Sequence, residues 1–237
     1  MTGPGPTAWQ VATVADIEHP SPGFVRIRLD VPDRLPTLPG QHYVVRLRAE
    51  DGYTAQRSYS LASDPEDPMI ELLVEQMPDG EVSGHLHGVL EVGDQLEVRG
   101  PIGRWFTWSG EEPAIAMAGG SGLVPIISMM RWATQHDRRD EFRVVAVGRT
   151  WEQLPYAAEL EKYGAFIALT QENRTDVAGV ERVSAPPYPE EVAPLADGTQ
   201  RAYLCGSVGF VGYASRLLGE SGVRADTVRV EQFGSTG

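Results

Sequence analysis

Residues 114–125, with the sequence AIAMAGGSGLVP, join an apolar run to a glycine-rich loop and then to the start of a helical stretch. The run Ala114–Ala118 is typical of a strand buried on both faces of a parallel sheet. The loop glycines let the backbone approach a ligand closely, and Pro125 fits a first helical turn, where its missing N–H is not needed. We therefore predict a nucleotide-binding strand–loop–helix unit. By itself the loop also fits a plain strand–helix turn, and it lacks the GxGxxG pattern of ordinary Rossmann dehydrogenases.

The rest of the C-terminal half continues this alternation of strands and helices. The predicted strands are Phe142–Val147, Phe166–Leu169, Ala202–Cys205 and Thr227–Val230, and the predicted helices are Leu123–His136, Leu154–Tyr163 and Val211–Glu220. Such alternation predicts a parallel sheet with ligands at the carboxyl ends of its strands. A second glycine-rich strand end, CGSVGF at 205–210, is expected to lie beside the first loop. Cys205 alone also fits a small, buried apolar residue.

The N-terminal half has the pattern of an antiparallel β-barrel. Short β-rich segments alternate with turn signals such as Ser21-Pro22-Gly23 and Pro78-Asp79-Gly80. In the segment VRIRL at 25–29 charged and apolar residues alternate, as they do in half-buried strands. One short helix is predicted near Val82–Val89. We predict two domains, an antiparallel β-barrel domain at residues 8–108 and an α/β parallel-sheet domain at residues 112–237.

The composition is that of a globular protein and disfavours several kinds of partner. Hydrophobic residues make up 41% of the 237 residues, charged residues 22%, and the net charge is −13. That charge opposes binding to nucleic acid or to an anionic membrane surface. No apolar run approaches the roughly 18 residues of a membrane span. The first residues carry no secretory signal, so we expect a cytoplasmic protein.

The cysteine and histidine content argues against a metal centre. Cys205 is the only cysteine, which excludes an intrachain disulfide, a Cys₄ zinc site and a cysteine-ligated iron–sulfur cluster within this sequence. The five histidines show no metal-ligand spacing, and we expect no bound metal.

Two polar segments of the N-terminal half suit a phosphate-containing cofactor. Arg57-Ser58-Tyr59-Ser60 combines an arginine fork with small hydroxyl groups and an aromatic ring, which suit a pyrophosphate and a planar ring system. Pro78–Ser83 predicts a helix N-terminus whose amides can bind a phosphate oxygen. Taken alone, the first segment also fits an ordinary strand with a surface arginine, and the second a capped helix start.

A series of motifs resembles the ferredoxin–NADP⁺ reductase superfamily, in particular bacterial FAD-binding reductases without a fused iron–sulfur domain. The resemblance runs from about residue 8 to the C-terminus, and the motifs stand in the family's order. They are Pro39-Gly40-Gln41, Arg57-Ser58-Tyr59-Ser60, Gly80-Glu81-Val82-Ser83, Val92-Gly93-Asp94, Gly100-Pro101-Ile102-Gly103, Gly119–Pro125, Cys205-Gly206 with Phe210, and Glu231-Gln232-Phe233-Gly234. Each motif is weak alone, but their common order is specific.

The resemblance implies that the barrel binds FAD. Arg57 would bind the FAD pyrophosphate, Tyr59 would pack against the flavin, and Ser60 would hydrogen-bond near flavin N5. The implied FAD-binding residues are Arg57, Ser58, Tyr59, Ser60, Gly80, Val82 and Ser83, the last three on the phosphate and adenosine side.

The resemblance also implies that the α/β domain binds a nicotinamide cofactor. The loop Gly119–Gly122 would hold its pyrophosphate, and Cys205 would lie near nicotinamide C4. The implied nucleotide-binding residues are Gly119, Gly120, Ser121, Gly122, Pro125, Arg149, Gly206 and Phe210. Those implied at the reacting atoms are Ser60, Cys205, Glu231 and Phe233, with Ser60 and Cys205 facing each other across one slot.

The choice between NADPH and NADH stays open at this stage. Members of the family that bind the 2′-phosphate of NADPH often place a serine before an arginine after the second strand of this domain. Here Gly148 precedes Arg149, and Thr170-Gln171 stands where a further basic residue is often found. Arg149 favours NADPH, and Arg174 could substitute for the missing basic residue.

The function implied is that of an FAD-dependent NAD(P)H oxidoreductase, which passes hydride to FAD and electrons to a separate acceptor such as a ferredoxin or a haem protein. Two alternatives remain. One is an NAD(P)H-dependent reductase of a small molecule, such as free flavin or a ferric chelate. The other is a non-catalytic, flavin-binding regulatory subunit.

Overall fold

The computed structural model of this chain describes residues 8–176 and 178–233. By its internal contacts the chain divides into two compact units, one ending at Trp108 and the other beginning at Ser109. The first unit is built almost entirely from antiparallel strands, and the second from a parallel sheet with helices. The two-domain architecture predicted from the sequence is confirmed.

The first unit is a six-stranded antiparallel sheet that closes on itself at one point. In the sheet the strands follow the order β4-β3-β6-β1-β2-β5, and a bridge between Leu61 and Leu72 joins the end of β4 to β5. The elements are β1 (Gln10–Ser21), β2 (Phe24–Asp30), β3 (His42–Arg48), β4 (Thr54–Ser60), β5 (Ile70–Glu75), α1 (Glu81–Gly88) and β6 (Gln95–Ile102). This is a nearly closed barrel, as the sequence predicts.

Strand β2 shows how the sequence pattern produces the barrel wall. Val25, Ile27 and Leu29 are fully buried and belong to the barrel core. Each such side chain contributes about 1.5–3 kcal/mol to stability through the apolar area it removes from water. The alternate residues point outward, where Arg26 pairs with Glu18 (Nη2–Oε1 2.7 Å) and Arg28 with Asp67 (Nη2–Oδ1 2.7 Å).

The second unit contains a five-stranded parallel sheet in the order β13-β12-β7-β8-β9. Its strands are β7 (Ala114–Gly119), β8 (Phe142–Gly148), β9 (Phe166–Leu169), β12 (Arg201–Gly206) and β13 (Val228–Gln232), and a separate hairpin pairs β10 (Arg174–Thr175) with β11 (Glu181–Arg182). The helices are α2 (Leu123–Gln135), α3 (Ala157–Tyr163), α4 (Pro189–Ala196) and α5 (Val208–Glu220). The strand order places β7 between β12 and β8, at the centre of the sheet.

Strand β7 is apolar throughout because both of its faces are covered. Ile115 and Met117 pack into one cluster with residues of α4 and α5, among them Val192 and Leu218. The alanines that alternate with them point to the opposite face and are also buried.

Two of the differences from the sequence prediction concern α3 and α4. Helix α3 begins at Ala157 rather than at Leu154, because Tyr156 adopts a left-handed conformation (φ 57°) that no helix continues through. Helix α4 was not predicted. It begins with Pro189 at a first-turn position, where a proline is well tolerated, and Glu191 accepts a hydrogen bond from the Tyr188 amide at 2.8 Å.

Candidate functional site

The glycine loop predicted from the sequence lies at the carboxyl end of β7. Residues Gly120–Gly122 form a single 3₁₀ turn that leads directly into α2, and Pro125 occupies the first turn of that helix. Gly120 has φ 58°, a left-handed conformation that favours glycine, and a side chain there would meet nothing within 4 Å. The loop therefore presents bare backbone to open space at Gly120.

The second glycine-rich strand end lies directly beside the first. Cys205 pairs with Ala118 in the β12–β7 register, so the two loops leave the sheet as neighbours. A Cβ atom at Gly122 would lie 2.3 Å from the carbonyl oxygen of Cys205 and 2.7 Å from the amide nitrogen of Gly206. Only glycine fits at position 122, because the obstacle is the backbone of the neighbouring loop.

Phe210 packs across both loops. A Cβ atom at Gly206 would lie 2.8 Å from its ring, and one at Gly119 would lie 3.2 Å from it. The start of α5, which carries Phe210, is capped by the Ser207 hydroxyl, whose oxygen accepts a hydrogen bond from the Phe210 amide at 3.3 Å. The aromatic ring and the three glycines at 119, 122 and 206 therefore hold the two strand ends in contact.

Cys205 and Glu231 form a second cluster at this edge of the sheet. They are direct partners in the β12–β13 register, and the Phe233 amide donates to the Gly206 carbonyl at 2.9 Å. Burial raises the pKa of the Cys205 thiol well above its ordinary value, and the nearby Glu231 carboxylate raises it further. The thiol is therefore protonated at neutral pH. It serves as a small, neutral group beside the strand end rather than as a thiolate nucleophile.

Glu231 is a half-buried carboxyl group with an unusual titration. Burial raises its pKa to about 7, and its Oε2 atom has no hydrogen-bond partner among the described residues. A buried carboxyl oxygen without a partner is costly, so this atom is available to a ligand or to a proton.

Replacement of Glu231 by glutamine should remove a pH dependence of stability. With a pKa near 7 in the folded state and an ordinary value of 4.5, Glu231 holds its proton more tightly when folded. Its favourable contribution is thus complete below about pH 4.5 and is lost as the pH rises through 7. At pH 8.5, with saturating FAD, Glu231→Gln should be more stable than the parent by up to about 3 kcal/mol, and at pH 5 the two should be similar. Urea unfolding curves measure this difference. Parallel pH profiles would contradict the assignment.

The first unit places the residues implied for FAD along β4 and at the start of α1. Arg57 is exposed, and its Nη1 donates to the Gln56 carbonyl at 2.8 Å. Tyr59 is half-buried, and burial raises its pKa to about 12 against the opposing charge of Arg57. The hydroxyl of Tyr53 donates to Glu81 at 3.1 Å, and Arg57 acts electrostatically on Tyr53 as well. Arg57 therefore lies near both Tyr59 and the first turn of α1.

At the start of helix α1 the backbone amides are available, whereas the side chains of Val82 and Ser83 are engaged within the protein. Its first residues, from Glu81 to Ser83, have no intrahelical acceptor for their N–H groups, as at any helix start. The Ser83 hydroxyl accepts from the Met77 amide and donates to the Gly80 carbonyl, each at 3.2 Å, and Val82 is buried in the barrel core. Any phosphate contact of Val82 and Ser83 would thus be made by their backbone.

Ser60 is the residue of this group that most clearly lacks a partner. Its side chain is only 6% exposed, and its Oγ atom has no hydrogen-bond partner among the described residues. Because a buried hydroxyl normally finds a partner, an external group that accepts or donates a hydrogen bond fits here. The basic Arg57, the aromatic Tyr59, the helix start and this hydroxyl together fit a dinucleotide with a planar ring system.

Sequence reasoning missed two residues at the carboxyl ends of β8 and β9. Glu172 accepts a hydrogen bond from the Trp151 amide at 2.7 Å, and the Trp151 ring lies 5.3 Å from the Arg174 guanidinium. The predicted residue Arg149 is exposed at the same edge. The sequence signal that could have identified this site is Glu172 itself, an acidic residue shortly after β9. Strand β9 lies beside β8, which Arg149 follows.

Two further properties concern the described part of the chain. Within residues 8–176 and 178–233, no group of three or more histidine, cysteine, aspartate and glutamate side chains is arranged to hold a metal ion. None of the helices in these ranges has the length and apolar character needed to cross a membrane.

Family models match most of the chain. Residues 12–107 match the oxidoreductase FAD-binding domain, and residues 117–216 match the oxidoreductase NAD-binding domain. The first match contains the Arg57–Ser60 segment and the start of α1. The second contains both glycine-rich strand ends.

The reductase components of two bacterial oxygenases are similar to this chain. The reductase subunit of glycine betaine monooxygenase from Chromohalobacter salexigens is 34% identical over 125 residues, which are 52% of this chain and 34% of that protein. The reductase component of propane 2-monooxygenase from Mycolicibacterium goodii is 28% identical over 235 residues, which cover 94% of this chain and 67% of that one. The chain thus spans from about a third to two thirds of the length of these relatives.

The fold also matches a solved structure over nearly its whole length. The flavohaem-like FAD/NAD-binding domain of nitric oxide dioxygenase from Vibrio cholerae superimposes with a TM-score of 0.79 at 22% identity, over 95% of this chain and 98% of that one. At this identity the likeness shows the fold. The two domain matches show that the chain belongs to the FAD- and NAD-binding oxidoreductases of the ferredoxin–NADP⁺ reductase superfamily, and the solved structure agrees with them in fold.

Proposed function

We propose that this chain is the reductase component of an electron-transfer system and that it delivers electrons from NAD(P)H to an acceptor outside these 237 residues. The observation that carries the proposal is Cys205, the only cysteine in the sequence, which is fully buried in β12. A cysteine-ligated cluster within these residues is therefore excluded. Relatives are named as reductase subunits of oxygenases, which supports an acceptor of the ferredoxin or haem-protein class.

In the proposed site, FAD supplies the ability to accept hydride from NAD(P)H and to release electrons one at a time. Arg57 and the amides of the α1 start bind its pyrophosphate, and Tyr59 lies against its ring. The buried Ser60 hydroxyl provides a hydrogen bond at the reactive edge of the ring. These residues hold the cofactor in a fixed orientation, which is the protein's main contribution to hydride transfer.

The residues of the parallel sheet are proposed to bind the pyridine nucleotide. Gly120, with its open backbone, contacts the pyrophosphate at the end of β7, and Ser121 lies toward the nicotinamide. Cys205 lies beside the nicotinamide as a neutral thiol, so it does not compete as a nucleophile. Glu231 and Phe233 at the end of β13 complete this side of the site. That Ser60 and Cys205 face one slot stays a prediction.

The protein, purified with FAD, is expected to be yellow and to bleach under nitrogen when NADH or NADPH is added. Bleaching occurs because the reduced flavin loses its visible absorption, and stopped-flow absorbance records its rate. Reduced protein should then transfer electrons to a ferredoxin or to a cytochrome faster than to a ferric chelate or free flavin. A colourless preparation that does not bind added FAD would overturn the proposal. Faster reduction of the chelate would replace it with a small-molecule reductase.

A further inference from the structure

The loops after β8 and β9 form one continuous ledge at the carboxyl edge of the sheet. Beyond the strands, the Thr170 amide donates to the Gly148 carbonyl and the Gln171 amide to the Arg149 carbonyl, each at 2.9 Å. The next residue, Glu172, turns its carboxylate back onto the Trp151 amide, with an Oε2–N distance of 2.7 Å. A negative charge is thereby fixed against the loop that carries Arg149.

The two arginines near this ledge differ in what they contact. Arg174 forms a 2.6 Å ion pair with Glu161 and lies over the ring of Trp151, 5.3 Å from its centre. Its charge is therefore already compensated. Arg149 is exposed, and its guanidinium makes no hydrogen bond or ion pair with any described residue. Glu172 and Arg149 therefore place one negative and one positive charge on the same ledge.

The strand order indicates which part of a dinucleotide would reach this ledge. The glycine loop lies at the end of β7, and β12 with Cys205 lies on one side of it. If the nicotinamide lies on the β12 side, as the proposed function requires, the adenosine half extends to the other side, toward β8 and β9. In nucleotide-binding sheets, a carboxylate at the end of the strand after the glycine loop accepts a hydrogen bond from the ribose 2′-hydroxyl, whereas cations hold a 2′-phosphate. In this chain that strand, β8, is followed by Arg149, and the carboxylate comes from the loop after the next strand, β9, where Glu172 is held against the β8 loop by the Trp151 amide.

We propose that Glu172 makes this enzyme prefer NADH over NADPH by placing a carboxylate where the adenosine ribose binds. The inference rests on the proposed function for the orientation of the nucleotide. The 2′-hydroxyl of NADH donates to Glu172, while Arg149 binds the adjacent pyrophosphate or ribose. The 2′-phosphate of NADPH carries a charge of about −1.5 to −2 near neutral pH, as phosphate monoesters do, and meets the fixed carboxylate. The preference for NADPH that Arg149 alone suggests is thus reversed.

Steady-state reduction of an artificial acceptor by each nucleotide tests the proposal. The parent protein should favour NADH by about tenfold or more in kcat/KM. Glu172→Gln keeps an acceptor oxygen for the Trp151 amide but removes the charge. It should raise kcat/KM for NADPH by about tenfold, mainly through KM, and change the NADH value by less than about threefold. Glu220→Gln removes one charge from an exposed position at the end of α5 and should change neither value.

Calorimetric binding of two mononucleotides separates this proposal from the proposed function. AMP should bind the parent protein with a lower dissociation constant than 2′-phospho-AMP. Glu172→Gln should reduce the ratio of these two dissociation constants by about tenfold. The binding of either mononucleotide can be measured without any reduction of the flavin. If the parent binds 2′-phospho-AMP more tightly than AMP, the proposal is wrong. It is also wrong if Glu172→Gln changes neither the ratio of kcat/KM for NADH and NADPH nor the ratio of dissociation constants for the two mononucleotides. If the mononucleotides behave as expected but neither dinucleotide reduces the flavin, the proposed role of Glu172 stands and the proposed reductase function fails.

Discussion

Replacing Arg57 with alanine is expected to yield a protein that loses its FAD on purification. In the proposed site this guanidinium makes paired hydrogen bonds to the pyrophosphate, and hydrogen bonds to charged groups contribute about 1.5–3 kcal/mol each. Two such bonds correspond to a rise in the FAD dissociation constant of at least about 100-fold. Quenching of flavin fluorescence on titration of the apoprotein measures the constant directly.

Arg48 provides the matched control for Arg57. It is an arginine on the neighbouring strand β3, its side chain is 53% exposed, and its nearest charge is Glu97 at 3.6 Å. Arg48 pairs with Thr54 in the β3–β4 register, and side chains three residues apart on β4 point to opposite faces, so Arg48 and Arg57 lie on different faces. Arg48→Ala should retain FAD. If both variants retain it equally, Arg57 has no role at the pyrophosphate.

Gly122→Ala is expected to slow reduction of the flavin by NAD(P)H by at least about 100-fold. The added methyl group would lie 2.3 Å from the Cys205 carbonyl oxygen, so the two loops must move apart. Overpacking of this kind costs about 1–3 kcal/mol and sometimes more. A displacement of about 1 Å in a reacting group can lower a rate by about 100-fold, and we expect at least that loss in the rate of flavin reduction. Stopped-flow absorbance measures the rate, and urea unfolding measures the stability.

Gly212→Ala is the control for this substitution in the same domain. Gly212 lies within α5, and a side chain there would meet nothing within 4 Å. Because alanine is a better helix former than glycine, this variant should be more stable by about 0.5–1 kcal/mol and should reduce its flavin at the parent rate. Equal rates for Gly122→Ala and Gly212→Ala would show that the contact between the two loops is unimportant for hydride transfer.

The parallel sheet could be predicted from sequence because its local signals and its tertiary environment agree. The β7 run is apolar at every position, as a strand covered on both faces must be, and its glycine loop stands directly between strand and helix. Helix α4 gave no such signal. Pro187 and Pro189 precede or begin it and Pro194 lies inside it, a composition that is typical of loops. It forms because Pro189 lies in the first turn and because Arg182 binds Glu191 at 2.8 Å.

The candidate site was less predictable than the fold, because its chemistry depends on individual hydrogen bonds that no sequence pattern encodes. The order of the motifs indicated Ser83, but it did not show that the Ser83 hydroxyl is already hydrogen-bonded to the Met77 amide and the Gly80 carbonyl. Glu172 was missed because its position is set by one hydrogen bond to Trp151, 21 residues earlier in the chain. No periodicity in a sequence records such a bond.

The central position of β7 has a consequence for how the chain folds as it leaves the ribosome. This strand is the first of its domain to be synthesised, yet one of its edges pairs with β12, which begins only at Arg201. Until that segment emerges, one edge of an apolar strand is open to pairing with another nascent chain, and such edges promote aggregation. Synthesis therefore passes through an interval in which chaperones can protect the growing polypeptide, and the interval closes only when β12 has been made.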